Sequence, residues 1–182
     1  MPDAVIRSPN TLRTPRLPPG QVQTVAWPPE PGTVPPFDPL TWDLALFPVP
    51  LVSAVKRFAW PEFEGLSRVK VLADFHSEAG WSKLDNFWEG VSTRELLNHV
   101  RVHPDVKFVM VHCEQGFTAN LPLDEFLADD ALFALKHDGA PILPELGFPV
   151  RLIVPGFFAL KSPRWVRGVE FMTHDHPSTS GA

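Results

Sequence analysis

Val69, Val71 and Ala73 alternate with Lys70, Leu72 and Asp74, and this period of two predicts a strand over residues 69–74. Trp42, Leu44 and Leu46 alternate with Thr41, Asp43 and Ala45, predicting a half-buried strand over 41–49. Residues 106–112 (VKFVMVH) predict a further apolar strand that runs into a turn over 113–117. Leu96, Leu97 and Val100 recur at helical spacing and predict a helix over 94–100, with Ser92 and Glu95 at the spacing of a capping box. Phe126, Leu127, Ala131 and Leu132 predict a second helix over 124–135, and residues 60–66 read as a short helix or turn. Residues 73–91 (ADFHSEAGWSKLDNFWEGV) fit neither period and are expected as an irregular but packed loop. Its two indoles need an apolar bed and a partner for each N–H, and Asp85 and Asn86 are expected to brace it.

The chain has 182 residues, enough for one domain with a real core. Its formal net charge is −5 and no basic stripe is present, which argues against nucleic acid and against membrane as partners. Neither a membrane-length apolar run nor a secretory or twin-arginine signal is legible, so the expected localisation is cytoplasmic. A single Cys excludes an intramolecular disulfide and any multi-cysteine metal site. Many of the 22 Pro fall in the first fifty residues, which predicts an extended, loop-rich beginning. Residues 1–15 are expected as a flexible arm, 16–172 as a single domain and 173–182 as a frayed tail.

Asp74, Phe75, His76, Trp81, Ser82, Asp85, Asn86, Trp88, Glu89, Gly90 and Val91 stand in an order that resembles the cofactor loop of the sulfite-oxidase-like, molybdopterin-binding oxidoreductases. Gly147, Pro149, Arg151, Leu152, Val154 and Pro155 match a second motif of that family, and residues 161–171 (KSPRWVRGVEF) a third. Residues 118–123, which include Asn120, resemble the family's Asn-Leu-Pro-Leu segment. The resemblance spans residues 16–171. It implies an α+β domain of mixed β-sheets with short helices, a molybdenum–molybdopterin cofactor and an oxidoreductase activity with a redox partner the sequence does not name.

The departures from the family pattern fall on the cofactor residues. Where the family carries the thiolate ligand of molybdenum, this chain has Ser77. A hydroxyl is a harder donor and a much weaker acid than a thiol, so Ser77 reads more readily as an ordinary loop residue than as a metal ligand. The resemblance implies a polar residue where Leu146 stands, and an entry segment with pterin-reaching side chains where this chain reads Trp27-Pro28-Pro29-Glu30-Pro31-Gly32. Three prolines remove three N–H donors, and a glutamate repels a phosphate.

The resemblance places Arg151, Ser162 and Arg164 as an anion pocket for the pterin phosphate, where a guanidinium offers a bidentate match. The alternative for Arg151 is an ion pair with a carboxylate such as Glu145 or Glu170, and for Arg164 an exposed charge. Cys113, the lone thiol, either lines the same pocket or is a small buried hydrophobe. His76 is a candidate acid–base group or a structural imidazole bonded to backbone. His174 and His176 form an H-x-H pair with no second pair near them in sequence. Two readings follow: a cofactor-degenerate member that kept the scaffold, or an active molybdenum oxidoreductase acting on a small sulfur oxide or similar oxo substrate, with Ser77 on the metal. A third class binds the pterin without turnover.

Overall fold

The computed structural model describes residues 4–179. Twelve strands and two short helices follow in order among these residues: β1 (Val5–Arg7), β2 (Val22–Thr24), β3 (Asp43–Phe47), β4 (Lys56–Ala59), α1 (Trp60–Glu64), β5 (Val69–His76), β6 (Trp81–Ser92), β7 (Phe108–Cys113), β8 (Thr118–Pro122), α2 (Leu123–Phe126), β9 (Leu132–His137), β10 (Ala140–Pro141), β11 (Arg151–Ile153) and β12 (Val166–Met172). They build two mixed sheets, so the expected class, α+β with mixed sheets and short helices, is the observed one. The seven-stranded sheet runs β1-β5-β6-β9-β10, with β11 on β9 and β2 on β6. The five-stranded sheet runs β4-β3-β12-β7-β8, with β12 parallel to β3 and antiparallel to β7. No described helix is long and apolar enough to cross a membrane.

The main core holds Leu44 and Leu46 of β3, Val109 and Val111 of β7, Val169 and Phe171 of β12, and Phe133 and Leu135 of β9. The intervening residues of β9, Leu132 and Ala134, belong to a second, smaller core with Val71, Ala73, Phe75, Trp88, Leu146 and Ile153. Strand alternation explains this division, because successive side chains leave opposite faces of a sheet. β11 divides the same way, Leu152 into the main core and Ile153 into the smaller one. Arg151 shares the parity of Ile153, and its guanidinium accordingly lies 4.9 Å from the Phe75 ring centroid.

Three expectations are corrected. Residues 73–91 are not an irregular loop but most of a β-hairpin, β5 and β6 joined across residues 77–80. Residues between Ala73 and Phe75 slip register against β6, and Asp85 there takes φ 56°; this irregularity hides the strand period in the sequence. Residues 124–135 are not one helix: α2 ends at Phe126, and β9 begins at Leu132. Three- and four-residue spacing of apolar residues arises here because a helical turn and a two-sided strand abut. Residues 94–100 form a 3-10 helix, Thr93–Asn98, and Ser92 caps it by accepting from Arg94 N at 3.3 Å. Glu95 turns to Asn98 and His99 instead of closing a capping box.

The beginning and end of the described chain are docked. β1 pairs in parallel with β5, and Ser8, Asn10 and Thr11 are buried. Asn10 Nδ2 donates to Asp74 O and Pro155 O, and Asp74 N donates back to Asn10 Oδ1. Thr179 N and Asn120 Nδ2 tie the end of the chain to β8, through Thr118 Oγ1 and Asp175 Oδ1. Residues 4–15, expected as a flexible arm, and residues 173–179, expected as frayed, are therefore held in place; residues 1–3 and 180–182 lie outside the described residues.

Candidate functional site

Arg151 on β11 is 1% exposed, and every nitrogen of its guanidinium has a partner within the chain. Nε donates to Ser162 O at 3.1 Å and Nη1 to Leu146 O at 3.2 Å. The charge is met by Glu30: Nη1 lies 2.7 Å from Oε1 and Nη2 3.4 Å from Oε2. Arg164 brings a second guanidinium, its Nε 3.6 Å from Glu30 Oε2. Arg164 also donates through Nη1 to Glu145 O at 2.7 Å and through Nη2 to Pro31 O.

Glu30 reaches this position because Trp27 anchors its segment. The Trp27 ring packs against Phe75, Trp81, His137 and Trp88 at centroid distances of 4.7, 5.5, 5.3 and 5.8 Å. Its Nε1 donates to Glu30 Oε1 at 2.8 Å, so indole and carboxylate share one bond within the segment. Gly32 takes φ +119°, and a Cβ there would stand 3.3 Å from Arg164 Nη2. Gly147, also at φ +119°, would put a Cβ 3.0 Å from Arg151 Cβ. Both glycines permit backbone to lie directly on the arginines.

The electrostatics agree with this geometry. Burial pushes the Glu30 carboxyl up, but the Arg151 charge, hydrogen bonds from Arg151 and Trp27, and the Arg164 charge together hold it below the usual carboxylate range. Burial lowers Arg164, and Arg151 beside it lowers it further, against the pull of Glu30.

Ser77 occupies the turn between β5 and β6. Its Oγ accepts from Ala79 N at 3.1 Å, its N donates to Trp81 O at 2.9 Å, and its carbonyl accepts from Gly80 N at 3.0 Å and Gln21 Nε2 at 3.1 Å. These are the bonds of a turn residue. His76 joins the same turn through Gln21: Nδ1 lies 2.8 Å from Ser82 Oγ, which donates to Gln21 Oε1. Its partner is a side chain, not the backbone expected for a structural imidazole. Burial lowers the His76 pKa, as do Arg13 and Arg16, against Asp74. Among the described residues His76 Nε2 is buried without a partner, as is Trp88 Nε1, which corrects the expectation that both indoles of the hairpin are satisfied.

Of the candidate residues, Arg151, Ser162 and Arg164 are brought together, with Ser162 O on Arg151 and Ser162 Oγ accepting from Val154 N at 2.9 Å. The carboxylate facing Arg151 is Glu30 and not Glu145 or Glu170, and Arg164 is mostly buried, against the exposed alternative. Cys113 ends β7 in the other sheet and packs in the main core, where burial and Glu114 push its thiol well above the usual value. Asn120 binds Lys161 and Asp175, its Oδ1 2.6 Å from Lys161 Nζ. His174 Nδ1 pairs with Thr173 Oγ1, and no cluster of three His, Cys, Asp or Glu placed for a metal occurs among the described residues.

His137 is a participant that sequence reasoning passed over, and Glu30 was read there only as a charge that repels a phosphate, not as the partner of Arg151. Glu30 had one signal, a lone carboxylate between prolines in an otherwise apolar segment. His137 had none, since its partners Asn86 Oδ1 and Trp88 lie on β6 and Trp27 in the segment after β2, all far from it in sequence.

A molybdenum–pterin group asks for a soft thiolate and free donors for a phosphate. In this arrangement the residues present do not fit it. Ser77 offers a hydroxyl engaged in its turn, Arg151 is saturated by Glu30, Ser162 O and Leu146 O, and the Leu146 side chain is apolar and buried.

The sequence and the fold nevertheless have relatives. A chain described as "Uncharacterized oxidoreductase YuiH" from Bacillus subtilis (strain 168) is 37% identical over 164 residues, 89% of this chain and 82% of that one. Sulfite oxidase from Gallus gallus is 27% identical over 143 residues, 72% of this chain and 31% of the relative. The crystal structure of the sulfane dehydrogenase SoxCD from Paracoccus pantotrophus superposes with a TM-score of 0.70 at 19% identity, over 78% of this chain and 40% of that one, a likeness of fold. Residues 31–180 match the model of the oxidoreductase molybdopterin binding domain, and the chain belongs to that family.

Proposed function

We propose that this chain is a cofactor-degenerate member of its family, a binding module that keeps the scaffold without running molybdenum chemistry. The observation that carries this reading is the Glu30 carboxylate on Arg151, the position where an anionic cofactor group would need the guanidinium free. Ser77 in its turn and the buried Leu146 side chain support it from two other directions. Under this reading Arg151, Ser162 and Arg164 fix the Trp27 segment to the sheet, and nucleic acid and membranes are not partners. The experiment is the molybdenum content of protein expressed with molybdate supplied and measured by inductively coupled plasma mass spectrometry. Background molybdenum is the expected result, and a stoichiometric amount overturns the reading.

One observation favours a second reading. His76 Nε2, adjacent in sequence to Ser77, is a buried ring nitrogen with no partner among the described residues, and such atoms are commonly met by a ligand or water. In that reading the chain is an active oxidoreductase for a small sulfur oxide or similar oxo substrate, with Ser77 on the metal. The same metal analysis separates the two.

A further inference from the structure

We propose that the Trp27–Gly32 segment is a tethered anion plug, with the Glu30 carboxylate as the built-in occupant of an oxyanion site formed by Arg151 and Arg164. Two guanidiniums converge on one carboxylate, Arg151 through Nη1 at 2.7 Å and Arg164 through Nε at 3.6 Å. Like charges held together inside a fold require an anion between them. Here that anion belongs to the chain itself, so it is present at a fixed, high effective concentration and free oxyanions compete poorly.

Three further contacts make the segment a fitted plug. The Trp27 indole is inserted among Phe75, Trp81, Trp88 and His137 and donates to the carboxylate. Pro31 O accepts from Arg164, and Gly32 clears the Arg164 side chain. Neutralising Glu30 leaves two guanidiniums facing one gap, and the ligand class that fits it is a tetrahedral oxyanion such as inorganic phosphate or sulfate, which guanidinium groups bind in bidentate fashion.

This inference rests on the same pocket as the functional reading, but its test is read in phosphate and chloride, not in metal or pterin; a failed phosphate test sinks the plug and leaves that reading to its metal analysis. The thermal midpoint is followed in rising inorganic phosphate, with sodium chloride of matched ionic strength as reference. Wild type is expected to track the chloride curve. Glu30→Gln is expected to start lower and to rise saturably with phosphate above its own chloride curve. Glu30→Gln combined with Arg164→Gln is expected to lose most of that rise. Should Glu30→Gln fail to fold, Glu30→Asp, which keeps the charge but withdraws it by one methylene, is expected to respond to phosphate more than wild type does. A saturable phosphate response in wild type, or a Glu30→Gln or Glu30→Asp variant that follows chloride alone, overturns the plug.

Discussion

Glu30 and Arg151 stand 121 residues apart in the chain and 2.7 Å apart in the fold, Oε1 to Nη1. Breaking a buried pair from one side leaves the other charge uncompensated, which commonly costs several kcal/mol. Glu30→Ala is expected to destabilise the protein by about 3 kcal/mol, read as a lower urea midpoint at unchanged slope. A loss below about 0.5 kcal/mol, the scale of a surface substitution, would show that the pair is incidental.

Ser77→Cys puts a thiol in the turn between β5 and β6 but leaves its surroundings as they are. With Glu30 still on Arg151 and Leu146 still apolar, the variant is expected to fold with near-wild-type stability and to remain at background molybdenum when expressed with molybdate. Stoichiometric metal in this single variant would show that the serine alone is the block.

His137 supplies a pH dependence. Burial lowers its pKa to about 4, with Lys83 and Arg151 acting in the same direction and Asp138 against them. Below about 6.5 the unfolded chain takes up a proton that the folded imidazole refuses until about 4, so stability falls as pH drops through that window. The loss is on the order of 3 kcal/mol. His137→Gln, which keeps a donor toward Asn86 Oδ1, is expected to flatten the slope of stability between these values. Glu30 adds a separate loss at lower pH. Its depressed pKa gives stability that is full above the unfolded carboxylate value of about 4.3 and disappears as pH falls through the folded one. An unchanged slope in His137→Gln would place the acid sensitivity elsewhere.

Asn10 tests whether residues 4–15 belong to the folded unit. Asn10→Ala removes the donors to Asp74 O (2.8 Å) and Pro155 O (3.0 Å) and the acceptor of Asp74 N (3.0 Å). Leaving these buried groups unmet is expected to cost about 2–3 kcal/mol and to speed exchange of the Asp74 amide. A neutral outcome would mean that this part of the chain docks without supporting β5.

The strands over 41–49, 69–74 and 106–112 were legible because alternation survives wherever a sheet has one buried face. It fails in β9, where Leu132 and Ala134 serve one core and Phe133 and Leu135 the other, so the apolar run imitates a helix. It fails again in residues 73–91, where the register slip and the positive φ of Asp85 break the period. The grouping of Arg151, Ser162 and Arg164 was visible through the family motifs. Glu30 as their counter-charge was not, because pairing across 121 residues leaves no local trace and the segment's prolines suggested only lost donors. Ser77 shows a different limit. The sequence shows a hydroxyl at that position, while the hydrogen bond from Ala79 that uses its oxygen is visible only in three dimensions.

The pterin content of the purified protein tests the central claim most directly, because it reads the pocket whether or not a metal is present. Protein expressed with molybdate supplied is denatured, any pterin is oxidised, and its fluorescence is compared with that of an unrelated protein prepared in parallel. A signal equal to that control is the predicted result; one pterin per chain would contradict a pocket that Glu30 has already filled.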